Sequence, residues 1–364
     1  MRRFLLVLLI GLMVSGFALA SGSAETTVET REITYVDQNF SYTRDAANAF
    51  KQYVEEATAG AITVTVLPWD ALGGDRDVTD QLVLGEIEVY NATTGAISGT
   101  IPAVQMTNLP FLFENRYIGW TVFDDSEYFD FVQRHWLEQS NGKIRLLGAA
   151  ENSIRNLYTT RGPVRVPSDL GEYGIKMRVP PIPMYVDLFT ELGSAGIVSI
   201  PASERYSAMQ SGLMDGTEGG IASAWQAGLI EVADYVTLTG HMFDHHYYVI
   251  NNDFYNSLSA EHQQIIDEAG RLASYVQSVG VQLAEAESLQ LIYDAGGKTV
   301  YQPTPAEIGE WRGIGVPVGT RLLSAIVPAD YMNMTFAAVD RVSASLDMAE
   351  IERMKEMAME YITE

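Results

Sequence analysis

The chain contains no cysteine and, beyond its first twenty residues, no apolar run long enough to cross a bilayer. The first absence excludes disulfides and, at an export cleavage site, a lipid-anchored cysteine. Basic residues are scarce: 23 Lys and Arg stand against 47 Asp and Glu, for a net charge of -24. Such a chain does not bind nucleic acid or anionic lipid through its overall field. An anionic ligand would have to be held by local arginines. The sequence also lacks a Gly-x-Ser-x-Gly elbow, a phosphate loop and a His-Glu-x-x-His helix, the motifs that place a nucleophile, a nucleotide or a catalytic zinc. No internal repeat or low-complexity segment is present.

The one long apolar run is at the start. Met1-Arg2-Arg3 precedes an apolar stretch over residues 4–17, and Ala18-Leu19-Ala20 fits the small-x-small cleavage rule. Residues 1–20 are expected to be a signal peptide cleaved near Ala20, with Ala24 a nearby alternative. Residues 21–31, small, polar and acidic, are expected to be a disordered leader. The mature protein is expected to be periplasmic, with no membrane span after cleavage.

From residue 32 onward the chain is patterned as alternating strands and helices. Glu32-Ile33-Thr34-Tyr35-Val36 predicts a strand. Residues 44–58 predict a helix with Ala47, Phe50, Tyr53, Val54 and Ala57 on one face. Residues 62–68 predict a β-branched strand, a helix runs to Leu84, and residues 87–90 predict a third strand. This order implies a parallel sheet with helices on both faces. A second such unit starts near Gly142, with strands at 143–149, 156–159, 175–179 and 197–200. Its 203–211 helix is expected to be capped by Ser203 and stopped by Gly212. Ser259 caps a long periodic segment carrying Ile265, Ala269, Leu272, Val276, Val279, Leu283, Ala286 and Leu289. At 1.5 Å per residue its roughly 35 residues span about 50 Å, enough to run along two lobes. The expected organisation is lobe I, 32–152 plus about 245–284, and lobe II, 153–244 plus about 285–364.

Doubly wound sheets place their ligand at the carboxyl ends of strands, here a cleft between lobes. The loops there carry residues 37–39, 72–77 and 91–95, Arg155, Arg178 and residues 215–225. Arg178 closes an apolar strand in an acidic chain, and its planar fork of donors matches a carboxylate. Its structural alternative is an ion pair at a strand end. For Arg155 the alternative is a pair with Asp215 or Glu218. Trp225 could stack on a ligand or lie in the core. His241, His245 and His246 fall on an expected strand, where adjacent histidines point oppositely, so no metal site is assigned.

One set of residues resembles a known family. It comprises Leu67-Pro68 with Leu72-Gly73, Leu109-Pro110-Phe111-Leu112-Phe113, Arg155, Lys176-Met177-Arg178-Val179-Pro180, the 201–210 run, Gly212-Leu213-Met214-Asp215-Gly216 and Leu238-Thr239-Gly240-His241. In this order and spacing the chain resembles the DctP-type extracytoplasmic solute-binding proteins of tripartite ATP-independent periplasmic (TRAP) transporters, from about residue 32 to about 310. The resemblance implies an α/β, two-lobed periplasmic binding protein, each lobe a mainly parallel sheet flanked by helices, with a long helix spanning both. It implies delivery of an organic acid (a dicarboxylate, a sugar acid or another monocarboxylate) to a membrane permease, with no cofactor and no catalysis. It places the carboxylate on Arg178, with Arg155 as a second ligand-facing arginine and Asp75 reaching in from the first lobe. The remaining expected contacts are Gln38, Asn39, Asn91, Thr93, Glu218 and Trp225. The family's Asp-Gly-x-Glu is usually followed by Asn-Pro, but here Gly219-Gly220 follows. A binding module for a sensor or another transporter class, and an exported hydrolase using paired acids, are the alternatives.

Overall fold

The computed structural model describes residues 30–363. The expected signal peptide and all but the last two residues of the leader lie outside them. Arg31, placed above in the leader, is the first residue of a strand and pairs with Ile62.

β1 (Arg31–Asp37) passes through α1 (Ser41–Ala57) to β2 (Ile62–Pro68), and α2 (Asp75–Leu84) leads to β3 (Val89–Thr93). After α3 (Thr94–Ile97), α4 (Arg116–Thr121) and α5 (Ser126–Gln139), β4 (Ile144–Thr159) crosses into the second lobe. There the order is α6 (Asp169–Glu172), β5 (Lys176–Val179), α7 (Pro183–Glu191), β6 (Gly196–Ser199), α8 (Arg205–Gln210), β7 (Gly216–Gly219), α9 (Ile221–Gln226) and α10 (Leu229–Val232). β8 (Tyr235–Asn251) returns to the first lobe, followed by α11 (Asn252–Ser257), α12 (Ala260–Ala295), β9 (Thr299–Tyr301), α13 (Pro305–Leu323), α14 (Ala329–Ser345) and α15 (Met348–Met359).

The strands lie in the order β2-β1-β3-β8-β4-β7-β5-β6, with β9 beside β8. β1 is parallel to β2 and β3, and β5 is parallel to β6 and β7. Short helical crossovers impose this on each lobe. β4 and β8 run antiparallel to each other and through both lobes, joining the two sheets. The sequence pattern divides β4 into two strands because its pairing with β8 slips three times, at Leu146/Gly148, Glu151/Ser153 and Arg155/Leu157. Each slip breaks the alternation of side chains that marks a strand.

α12 is 36 residues long, about 54 Å, and its Ser259 cap accepts from the His262 amide. A Cβ on Gly270 would stand 2.5 Å from Leu147 Cβ, so glycine lets the helix press onto β4. Its buried face is partly polar where β4 bulges. Ser278 Oγ accepts from the Glu151 amide at 2.9 Å, and Gln277 Nε2 donates to the Glu151 carbonyl at 3.1 Å. These side chains satisfy backbone groups that the slipped ladder leaves open. Leu283, expected on the apolar face, is instead exposed. Within the segment 285–364 assigned above to lobe II, α13 packs on α7, whereas α14 packs on α4 and α5 and α15 packs on α12. Ile351, Met354 and Ala358 of α15 share a core with Phe50, Trp120 and Val276 of the first lobe. Ser203 makes no cap; Ala202–Glu204 is a tight 3₁₀ turn before α8. Among the described residues no helix is long and apolar enough to cross a membrane.

Candidate functional site

Three arginines are buried together in the second lobe. Arg155 leaves β4, Arg178 leaves the C-terminal half of β5, and Arg205 opens α8; all are less than 10% exposed. Arg155 is fully engaged. It grips Glu218 of β7 through Nε and Nη2, the latter 2.6 Å from Oε1, and donates through Nη1 to Asp244 Oδ2 at 2.6 Å. Burial disfavours both charges, but their attraction outweighs it. The Arg155 guanidinium is held well above its ordinary proton affinity, and the Glu218 carboxyl is pulled well below the usual carboxylate range by Arg155 and His241.

Arg178 differs. Its Nε and Nη2 both donate to one backbone carbonyl, Ile200 O, at 2.9 and 2.6 Å. Among the described residues no carboxylate pairs with it. Burial, with the Arg205 charge next, pushes its pKa down to about 9. Arg205 donates from Nε to Ala202 O at 3.2 Å and also has no acidic partner among the described residues. Burial and the Arg155 charge lower its proton affinity, and Glu218 only partly offsets them. The second lobe thus holds two buried cations that no carboxylate among the described residues contacts directly, an arrangement chemically suited to an anion.

The first lobe contributes a polar group at the C-terminal ends of β1 and β3. Gln38 Nε2 donates to Asp75 Oδ1 at 3.2 Å, Tyr90 OH donates to the same oxygen at 2.7 Å, and Thr93 Oγ1 reaches Oδ2 at 3.3 Å. Asp75 stands at the first position of α2, where a carboxylate suits the helix dipole. His246, opposite Thr93 in the ladder, experiences both Asp75 and Asp244, yet burial pushes it down to about 4 and keeps it neutral. The lobes meet around it. Asn152 Nδ2 donates to Asp244 Oδ2 at 3.0 Å, and Tyr42 OH donates to Asn152 at 3.3 Å. Gln226 of α9 donates to Ser41 at the start of α1, 3.3 Å away.

A second charged cluster lies where β4 and α12 pass between lobes. Arg116 of α4 donates to Glu151 and, at 2.8 Å, to Glu285 of α12, while Glu285 also accepts from the Ile154 amide at 3.3 Å. One guanidinium serves two buried carboxylates, both raised by burial, and the Glu151 charge helps to lift Glu285 to about 7.

The family model for bacterial extracellular solute-binding protein, family 7 (DctP), matches residues 34–322. The chain belongs to this family. A Sinorhizobium fredii protein is 34% identical over 199 residues, 55% of this chain but only 36% of that protein, so the match spans about a third of its length. The 2,3-diketo-L-gulonate-binding periplasmic protein YiaO of Escherichia coli is 25% identical over 324 residues, 86% of this chain and 96% of its own. The crystal structure of a TRAP periplasmic solute-binding protein from Ochrobactrum anthropi, whose C-terminus is bound in its ligand pocket, superposes with a TM-score of 0.77 at 26% identity. The likeness covers 87% of this chain and 97% of that one.

In this DctP-family protein the residues singled out from sequence fall into three sets. Arg155, Arg178 and Glu218 come together in the second lobe, and Gln38, Asp75 and Thr93 in the first. Asn91 turns away: its Nδ2 donates to Gln277 Oε1 of α12 at 2.7 Å and to Tyr248 OH at 3.2 Å. Asn39, at φ 62°, is exposed and accepts from Arg44. Trp225 is half-buried against the apolar cluster of Met209, Met214 and Leu229. Asp215, the other partner considered for Arg155, pairs with Arg161 at 2.8 Å. The histidines of β8 do point oppositely. His246 faces the interlobe group, while His245 lies in the core among Phe113, Phe123 and Phe243, 2.8 Å from Gly119 O. Among the described residues no group of three or more potential ligands is placed to hold a metal. Sequence reasoning missed Arg205, Asp244, His246 and Tyr90. Period-two alternation along β8 would have put Asp244 and His246 on one face; nothing local marked Arg205.

Proposed function

We propose that the protein is the periplasmic solute-binding subunit of a TRAP transporter that takes a small organic acid between its lobes and hands it to the membrane permease. The observation that carries this reading is Arg178, a buried guanidinium with no acid partner among the described residues; the resemblance to the family implies that it meets the ligand carboxylate. A ligand carboxylate completes the pair, and binding releases the unfavourable energy of the bare cation. Gln38, Asp75 and Thr93 supply acceptors and donors for the rest of a hydroxylated ligand from the facing lobe. The diketogulonate-binding relative supports a sugar acid. Arg155 and Glu218 hold the frame of the site through their mutual ion pair rather than by catalysis.

A thermal-shift panel on ligand-stripped protein tests this. A ligand at about 100 times its dissociation constant adds roughly 2.7 kcal/mol to stability. Acids such as D-glucuronate, galactonate or succinate should raise the melting temperature, and Arg178→Ala should remove the shift while the protein stays folded. A full shift in Arg178→Ala, or stabilisation by neutral sugars alone, refutes the assignment.

A further inference from the structure

Gly219 closes β7 with φ at 151°, a conformation that favours glycine. A Cβ placed on it would stand 3.4 Å from Arg205 Nη1. The Arg205 guanidinium therefore occupies the space into which a side chain at 219 would project. Arg205 is 7% exposed, anchored by one bond to Ala202 O, and lies close enough to Arg178 to disfavour that residue's charge. Glu218, already gripped by Arg155, offsets that repulsion only in part.

The charges of the cluster can be counted. Its cations are Arg155, Arg178 and Arg205, and the carboxylates bonded to it are Glu218 and Asp244, both held by Arg155, leaving an excess of one positive charge. One ligand carboxylate neutralises the cluster. A second would leave it negative, in a cleft whose other side already presents Asp75. Buried charge without a counterion is unfavourable in either sign, so the excess sets the ligand's charge.

Building on the carboxylate-binding role of Arg178, we propose that Arg205 is a second ligand-contacting arginine, seated in the room left by Gly219, and that the Arg178–Arg205 pair selects hydroxylated monocarboxylates over dicarboxylates. Arg178 takes the carboxylate, and Arg205 donates to the same group or to the oxygen on the adjacent carbon.

The test uses matched acids. Galactonate and galactarate differ by one terminal carboxylate, as do gluconate and glucarate; D-glucuronate and 2,3-diketo-L-gulonate extend the monoacid side. Dissociation constants are measured by calorimetry on ligand-stripped wild type, Arg178→Ala, Arg205→Gln and Arg205→Lys. The wild type should bind at least one monoacid tenfold or more tighter than its diacid partner. Arg205→Gln should weaken that monoacid about 10- to 100-fold, the range for losing a charged hydrogen bond. Arg205→Lys, which keeps the charge, should recover part of the loss, which a merely space-filling role would not predict. A wild type that binds no monoacid of the panel, or binds a diacid as tightly, overturns the proposal. So does unchanged affinity in Arg205→Gln, and if that variant fails to fold, the wild-type comparison and Arg205→Lys still decide. Loss of binding in Arg178→Ala with none in Arg205→Gln overturns the Arg205 role alone, whereas intact binding in Arg178→Ala overturns the carboxylate site itself.

Discussion

Replacing Arg178 and Arg155 in turn by methionine tests whether the fold itself supplies a counterion to each. Both are buried guanidiniums of the same lobe, and a simple burial argument would rank them alike. Arg178, pushed down to about 9, is held charged against its surroundings. At about 1.4 kcal/mol per tenfold change in proton affinity, that costs the ligand-free protein roughly 4–5 kcal/mol relative to a neutral side chain. Methionine removes this penalty but forfeits the bonds to Ile200 O, which as charged hydrogen bonds contribute about 1.5–3 kcal/mol. The expected balance is a gain of about 2 kcal/mol. Arg155→Met instead leaves Glu218 and Asp244 buried without their cation, a loss of about 3–5 kcal/mol. With an unfolding entropy of about 2.1 cal/mol/K per residue over roughly 330 residues, one degree corresponds to about 0.7 kcal/mol. Calorimetric melts of ligand-stripped protein should therefore show Arg178→Met about 3 °C above wild type and Arg155→Met about 4–7 °C below it. Equal destabilisation by the two substitutions would refute the reasoning, because it would mean that Arg178 is also neutralised within the fold.

Two further outcomes concern the lobe junction. Glu285, raised to about 7 from an ordinary 4.5 by burial and by Glu151, binds its proton more tightly folded than unfolded. Its contribution to stability is fully present below about pH 4.5 and is lost as pH rises through about 7. Glu285→Gln fixes the uncharged form, so melts from pH 5 to 8 should show the variant gaining on wild type, on the order of 2 kcal/mol by pH 8; parallel pH curves would show that Glu285 does not carry the proton. Gly220 begins the turn into α9, and a Cβ there would stand 2.2 Å from Ser153 Cβ on β4. Gly220→Ala should push α9 off the strand at a loss of about 1–3 kcal/mol, and an unchanged melting temperature would contradict this packing.

The lobes' outer strands, α1, the Ser259 cap and the long helix are legible in sequence because each rests on a local signal: alternation, a 3.6-residue period, a cap. β4 reads as two strands because its register slips erase the alternation. The polar stripe of α12 is hidden within an apolar period because Ser278 and Gln277 answer backbone groups of a strand more than a hundred residues earlier. The C-terminal helices carry apolar faces that fit either lobe, and only packing sends α15 back to α12. Within the site, Arg178 stands out as an arginine ending an apolar strand. Arg205 does not, since no local signal shows that it lies against Gly219 of β7. Asn91 sits at the expected strand end, but the pleat turns its side chain toward Gln277 and away from Asp75.

By itself, the sequence determined an acidic, cysteine-free α/β chain of the DctP family, with an arginine at the end of an apolar strand. These properties follow from composition, periodicity and short motifs, which act over a few residues. The tertiary structure decided which charges are left without partners. Arg155 and Glu218 neutralise each other with Asp244, while Arg178 and Arg205 bond only backbone carbonyls among the described residues. Counterion pairing in this cluster depends on distances of a few ångströms between groups up to 89 residues apart in the chain. The strength of those charges depends on burial that only the packed lobes create.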